Sequence, residues 1–122
     1  MTQEQKDLLL KDLCGRLSHG VKISVNDKVE TLQGINILDN VVEYGSFLSS
    51  DIEDVKPYLL PLSSMTDEQT EELIKLINTG QNDNNEFMRS LCRIEFYHKN
   101  HFDYRGLIPM GLANDATGKN IY

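Results

Sequence analysis

The chain has few cysteines, few basic side chains and no long apolar run, and each shortage excludes a class of protein. With only Cys14 and Cys92 in 122 residues, a small scaffold held together by several disulfides is excluded. Both cysteines fall among apolar residues with helical spacing, so we expect two buried, reduced thiols. No apolar run approaches the roughly 20 residues that cross a membrane, and the polar start MTQEQKDLLL predicts no export signal. A cytoplasmic protein without a membrane partner is the expectation.

The shortage of basic residues argues against nucleic acid as a partner. The chain has 12 Lys and Arg against 19 Asp and Glu, a formal charge of −7. The deficit is spread evenly, with −4 over residues 1–61 and −3 over residues 62–122. Because neither half offers a basic face to a phosphate backbone, we expect no binding of nucleic acid. The length suits one domain, residues 1–122, that buries a core without disulfides or metal, with residues 114–122 as a surface strap.

Capping boxes predict the start of two helices. Thr2 and Gln5 form the first box, and apolar residues then follow a helical period as far as Gly20. Thr66 and Gln69 form the second, within TDEQTEELIKLINTG, where two acidic residues also suit the positive end of the helix dipole.

The boundaries of the second and third helices follow from the residues between them. Gly80 is expected to end the second helix, and QNDNN to form a polar loop. Asp83 or Asn84 would then cap a third helix from about Glu86 to about Asn100.

An alternating pattern after the first helix predicts strands. VKISV, KVETLQGINIL and NVVEYGSFL are separated by the turn pairs ND and DN, and Gly34 suggests a bulge in the second of them. In SSDIEDVKPYLLPLSSM, Pro57 and Pro61 exclude a helix interior, which predicts a short helical turn and then an extended connector that lays Tyr58 or Leu59 on the core. The fold expected is α+β: a small antiparallel meander of about three strands, three main helices and a short C-terminal helix at LIPMGLA.

The segment HKNHFDYRGLIPMGLA, residues 98–113, holds the densest set of functional side chains. His98, His101 and Asp103 have the side-chain types that bind zinc, but three ligands at one helix end leave the set incomplete. The other interpretation is a packed helix terminus in which Phe102 and Leu107 enter the core. We favour the packed terminus and expect no metal.

Glu95 and His98 lie three residues apart, so they are neighbours on a helix surface and could share a proton. With Tyr104 and Arg105 they form a possible polar site, and an acidic residue such as Asp103 is a candidate partner for Arg105. The chain has no Gly-x-Ser-x-Gly elbow, no cysteine beside a histidine and no glycine-rich phosphate loop. The sequence therefore gives no catalytic residues and predicts no cofactor.

Two stretches resemble a known group of proteins. VKPYLLPLSSMTDEQTEEL and NHFDYRGLIPMGLA are similar to segments of a family of small proteins from anaerobic gut bacteria and their bacteriophages. The similarity covers the C-terminal 60 to 70 residues, and the N-terminal half only in pattern. Because no activity is established for that family, the resemblance implies context alone: a small accessory protein carried by a prophage or mobile element, acting inside a bacterial cell.

Three functions remain open from the sequence. The first is a non-enzymatic, cytosolic module, a monomer or homodimer, that binds another protein through its acidic surface or an open sheet edge. The second is a small enzyme or metal-binding protein that uses Glu95, His98, His101 and Asp103, which would require at least three of these side chains to converge on one pocket. The third is an acidic mimic of nucleic acid, which would require carboxylates arrayed in a stripe.

Overall fold

Residues 1–79 and 86–122 are described by a computed structural model, which contains three helices and a mixed sheet of seven strands. The helices are α1 (Gln3–Arg16), α2 (Asp67–Thr79) and α3 (Glu86–Lys99). The strands are β1 (Lys22–Val25), β2 (Lys28–Asn36), β3 (Val41–Tyr44), β4 (Leu48–Asp51), β5 (Val55–Pro61), β6 (Phe102–Asp103) and β7 (Asn114–Asp115). The predicted α+β class is confirmed, whereas the predicted number of strands, about three, is too low.

The predicted meander is the first half of the sheet, in which β1, β2 and β3 pair antiparallel. Asn26 and Asp27 both adopt left-handed backbone angles, with φ of 50° and 63°, as a tight type I′ hairpin turn requires. The register shifts between Leu32 and Gly34, which confirms the predicted bulge. A Cβ at Gly34 would lie 2.5 Å from a carboxylate oxygen of Glu43, so a larger residue at the bulge requires that side chain to move.

The strands that the sequence missed lie on both sides of this meander. The sheet order is β4-β3-β2-β1-β5-β6, with β7 also paired to β5. β5 was predicted as an extended connector, and it is extended, but it is a strand beside β1 in which Pro57 lies opposite Ile23. Because Val55, Pro57 and Leu59 alternate toward the interior, burial overrides the usual exclusion of proline from an inner strand.

Helix boundaries agree closely with the local signals. In both capping boxes the threonine hydroxyl accepts from the backbone N–H of the glutamine, whose side chain accepts from the backbone N–H of the threonine. α1 continues as a 3-10 turn, Leu17–His19, and Gly20 follows with φ of 68°. The expected cap at Asp83 or Asn84, the loop QNDNN and the end at Gly80 lie outside the described residues.

The C-terminal segment differs from its prediction. LIPMGLA forms turns instead of a short helix, because Gly106 and Gly111 have φ of 75° and 76° and interrupt a helical path on either side of Pro109. The chain then pairs with β5 through β7. At its end, the Tyr122 hydroxyl donates to the carbonyl of Tyr58 at 2.7 Å.

The core lies between α1, the sheet and the C-terminal segment. Its buried side chains include Leu9, Leu13, Val21, Ile23, Val42, Ile52, Leu59, Phe96, Phe102 and Leu107. None of residues 60–78 and 86–95 is buried. α2 and the first ten residues of α3 therefore lie outside the core. Within the described residues, no helix combines the length and the apolar character that a membrane crossing needs.

Both cysteines are free thiols, but the expected burial is wrong, since Cys14 is exposed and Cys92 is half-buried. On α1 the buried arc contains Leu9, Leu13 and Arg16, and Cys14 falls just outside it. We expect a polar thiol reagent to label native Cys14 rapidly and Cys92 more slowly. The Cys14→Ser variant should lose only the fast phase, and labelling that requires denaturant would contradict the observed exposure.

Leu59 is fully buried at the centre of β5, so truncation of its side chain should leave a cavity. We expect Leu59→Ala to lower the free energy of unfolding by about 2 to 5 kcal/mol. Leu48→Ala is the matched control, because Leu48 is half exposed on β4, and it should change stability by less than about 0.5 kcal/mol. Urea unfolding measures both, and equal losses would contradict the assignment of β5 to the core.

Candidate functional site

A buried ion cluster joins α1 to the C-terminal segment. Asp12 and Arg16 lie one helical turn apart, their side chains are fully buried, and Arg16 Nε donates to Asp12 Oδ2 at 2.8 Å. Arg105 Nε donates to the other oxygen of Asp12 at 3.1 Å, and Arg16 Nη2 donates to the carbonyl of Phe102 at 2.6 Å. One carboxylate thus serves two guanidinium groups, so the cluster carries an excess positive charge. Within the described part of the chain, Arg16 Nη1 is buried and has no hydrogen-bond acceptor.

Tyr104 extends this cluster toward α3. The guanidinium carbons of Arg16 and Arg105 lie 5.5 and 4.9 Å from the centre of its ring, distances at which a cation is attracted to an aromatic face. Its hydroxyl is 2.8 Å from His98 Nε2. His98 in turn packs on α1, where a Cβ at Gly15 would lie 2.5 Å from the imidazole. The close approach of α1 and α3 therefore depends on glycine at position 15.

The two histidines of this region are neutral near pH 7. Burial, followed by the positive charge of Arg16, lowers the pKa of His98 to about 4. The same two causes, with a smaller contribution from His19, lower the pKa of His101 to about 4. The ring of His101 stacks on Tyr122 with a centroid distance of 3.6 Å, and burial raises the pKa of Tyr122 to about 12.

The residues predicted as a polar site make separate contacts. His98 bonds to Tyr104 and is buried, while Glu95 is exposed. The carboxylate of Asp103 accepts from the backbone N–H groups of Leu107 and Ile108, each at 2.9 Å, and so closes the turn that follows β6. The acidic partner of Arg105 is Asp12 and not Asp103.

A metal site is also not assembled from the candidate ligands. Among residues 1–79 and 86–122, no group of three or more His, Cys, Asp or Glu side chains lies close enough to hold a metal ion. His98 and Asp103 are each engaged by hydrogen bonds, and His101 by its ring stacking on Tyr122. The three candidate ligands are therefore not gathered into one coordination set.

The sequence analysis did not identify Asp12 and Arg16 as residues of a buried cluster, although a local pattern in α1 indicates such a pair. The two residues have the spacing of an ion pair on one helix turn, and both lie on the arc that holds Leu9 and Leu13. Opposite charges one turn apart on an apolar face indicate a buried pair. Their third partner, Arg105, is 93 residues away along the chain, and no local pattern points to it.

Two open cavities lie elsewhere on the surface. One, of about 600 Å³, surrounds the turn between β3 and β4. The other, of about 360 Å³, lies beside α2 and α3, and its lining includes Glu72, Leu76, Cys92, Glu95, Phe96 and Lys99. Of Glu95, His98, His101 and Asp103, only Glu95 faces either cavity. The convergence that an enzyme using these four residues requires is not found in these two cavities.

The helices α2 and α3 contact one another, and we refer to this pair as the hairpin. The hairpin exposes an apolar surface. α2 contributes Ile74 and Leu76, which are 51 and 40% exposed, and α3 contributes Phe87, Met88, Leu91 and Ile94. Phe87, Leu91 and Ile94 are spaced by four and three residues, so they lie along one face of α3. We refer to these three residues as the α3 stripe.

Comparison of the chain with protein-family models, with curated proteins and with solved structures finds no match.

The neutral histidines predict a loss of stability in acid. His98 and His101 have folded pKa values of about 4 against an ordinary value of 6.5, so the unfolded chain takes up protons first as the pH falls. Their contribution is complete above about pH 6.5 and is lost as the pH falls from 6.5 to 4. Urea unfolding at pH 7 and 4.5 measures it. His98→Gln should show a smaller difference between the two pH values, and an unchanged difference would contradict the assignment.

Proposed function

We propose that this protein is a non-enzymatic module that binds another folded protein through the hairpin of α2 and α3. The observation that carries the proposal is the absence of burial in residues 60–78 and 86–95, although both helices bear apolar side chains on one side. Amphipathic helices of 13 and 14 residues draw most of their stability from packing of the apolar face. A partner that covers this face supplies that packing.

The arrangement of exposed apolar groups supports a protein as the partner. The α3 stripe has the i, i+4, i+7 spacing by which one helix packs on another. The neighbouring cavity beside α2 is lined by the apolar residues Leu76, Cys92 and Phe96 together with charged residues. Protein interfaces combine apolar and polar residues in this way.

The enzyme alternative has less support because its residues already have structural contacts. His98 is bonded to Tyr104, Asp103 accepts from two backbone N–H groups, and the ring of His101 stacks on Tyr122. Each of these contacts is intramolecular. A catalytic role would require at least some of these groups to face a substrate cavity.

The alternative of a nucleic-acid mimic is supported by a small acidic surface on α2. Asp67, Glu68, Glu71 and Glu72 are all exposed and share one side of α2. They span about 8 Å along the helix axis at 1.5 Å per residue. Since one turn of duplex DNA extends about 34 Å, this array is short as a copy of a phosphate backbone.

The cellular context is proposed from the resemblance alone. The stretches around Pro57 to Thr66 and His101 to Ile108 suggest an accessory protein of a prophage or mobile element in the bacterial cytosol. A binding module of this size fits that context, because it needs no cofactor and acts through one surface.

The proposal predicts contacts at one face only. A photo-crosslinking amino acid placed at position 91 in the cells that express the protein should yield a discrete crosslinked product. The same amino acid at position 29 should give no such product. Val29 is also exposed, at 46%, but it lies on β2 and not on the hairpin. The product at position 91 should disappear when Ile94→Glu is added. Absence of any product at position 91 would contradict the proposed function.

A further inference from the structure

The strand β4 leaves one edge of the sheet unpaired. The sheet order begins at β4, and no strand of the described residues pairs with its outer side. Ile52 N donates to the carbonyl of Asn40 at 2.9 Å, and facing residues of an antiparallel pair alternate between bonded and non-bonded positions. By this alternation Ser49 directs its backbone N–H and C=O, and Asp51 its N–H, away from β3.

This edge lacks the features that usually protect an edge strand from pairing, which are proline, lysine, a bulge or an inward-pointing charge. β4 has the sequence LSSD and a regular register with β3. Its one charged residue is Asp51, at its end, whose carboxylate accepts from the backbone N–H of Glu53. An extended segment of another chain can therefore add to β4 as a further strand.

The surface around this edge is acidic. Residues 29–55, which include most of β2 and all of β3 and β4, contain six acidic residues and no Lys, Arg or His. Among the described residues, ion pairing engages one of these six, Glu53, which lies 2.9 Å from Lys6 Nζ. Since the whole chain has a formal charge of −7, this segment carries most of its excess negative charge. A segment that binds here by charge complementarity is basic.

The open cavity of about 600 Å³ lies beside this edge and contains a carboxylate. Its lining includes Glu43, Phe47, Leu48 and Ser49, and Glu43 makes no ion pair with any described residue. Glu43 lies opposite Ser49 in the register, so the two side chains share one face of the sheet. A long side chain from a strand added to β4 thus enters the cavity by crossing the small Ser49.

The reach from an added strand to Glu43 suits a Lys or Arg side chain. Two strand spacings, about 10 Å, separate the backbones, and an extended Lys or Arg bridges them together with the Glu side chain. The carboxylate of Glu43 lies beside Gly34 in the structure, and rotation about the bonds of this exposed side chain turns it toward β4. Phe47 and Leu48, both exposed in the cavity wall, offer apolar contact to the stem of the entering side chain.

We propose that β4 binds an extended, basic segment of a partner protein, which adds to the sheet and places a Lys or Arg side chain in the cavity beside Glu43. This surface is separate from the hairpin, so the inference goes beyond the proposed function. The outward backbone groups of Ser49 favour an extended segment over a helix. A second copy of this chain fits less well, because pairing two β4 strands brings two acidic surfaces together.

Titration with synthetic peptides, followed by nuclear magnetic resonance, tests the strand addition. The probe is a capped peptide in which lysine alternates with valine or threonine, and the matched control has proline in place of the central threonine, which keeps the charge but removes a ladder N–H. The amide signals of Ser49 and Asp51 should shift, and their hydrogen exchange should slow, with the first peptide only. Equal effects of both peptides, or no effect at β4, would overturn the inference.

Substitutions at Ser49 test the same bonds from the side of the protein. Ser49→Pro removes the outward N–H at a position where an edge strand tolerates proline, and it should weaken binding of the first peptide by about 10-fold. Ser49→Ala keeps the N–H and should bind like the unaltered chain. Far-UV circular dichroism establishes that both variants are folded. Equal binding by two folded variants speaks against strand addition, and if Ser49→Pro does not fold, the proline peptide decides.

A matched pair of charge substitutions tests the position of the basic side chain. Glu43→Gln should weaken binding by about 2- to 5-fold, as expected for one exposed ion pair. Glu71→Gln removes the same charge from an exposed residue of α2 and should leave binding unchanged. Equal weakening by both variants would show a general attraction of charge and would overturn the placement beside Glu43.

Sedimentation of the chain without peptide tests the remaining occupant of this edge. We expect no dimer that depends on β4. A dimer that Ser49→Pro abolishes and Ser49→Ala preserves would assign the edge to a second copy of the chain and overturn the basic partner.

Discussion

The fold depends on the carboxylate of Asp12, which is buried in α1 and bonded to two arginines. An isolated carboxylate in such a place would cost several kcal/mol, and the pairing with Arg16 and Arg105 offsets that cost. Arg16 also holds the carbonyl of Phe102, so the same network fixes the end of α3, β6 and the following turn on α1. Loss of one partner of a buried pair costs about 3 to 5 kcal/mol, because the remaining charge has no water to solvate it.

This network explains why the segment richest in functional side chains, residues 98–113, has a structural role. Tyr104 lies between the two arginines and bonds to His98, while Asp103 closes its own turn. The positive charge of Arg16 and the burial of the site keep His98 and His101 neutral. Side chains of catalytic type are thus occupied by contacts between segments distant in sequence, and the exposed apolar residues of α3 lie toward its N-terminal end.

Local features were predictable from the sequence because each depends on residues close together along the chain. The two capping boxes, the hairpin turn at Asn26 and Asp27, the bulge at Gly34 and the ends of α1 and α3 all have this origin. The strand β5 was not recognised, since its two prolines argue locally against an inner strand and only burial against distant residues decides it. β6 and β7, of two residues each, and the bond from Arg105 to Asp12 likewise depend on contacts that no short window contains.

The division between core and hairpin has a consequence for stability. Every described buried apolar residue lies before residue 60 or after residue 95, so the body of the protein closes its core without α2 and the first half of α3. Those helical segments hold each other through a partly exposed contact, which supplies less burial than a core helix receives. Their folding is therefore weakly coupled to the folding of the body. Under the proposed function, a partner that binds these two helices gains affinity from burying their apolar side chains, so that folding of the helices and binding are coupled.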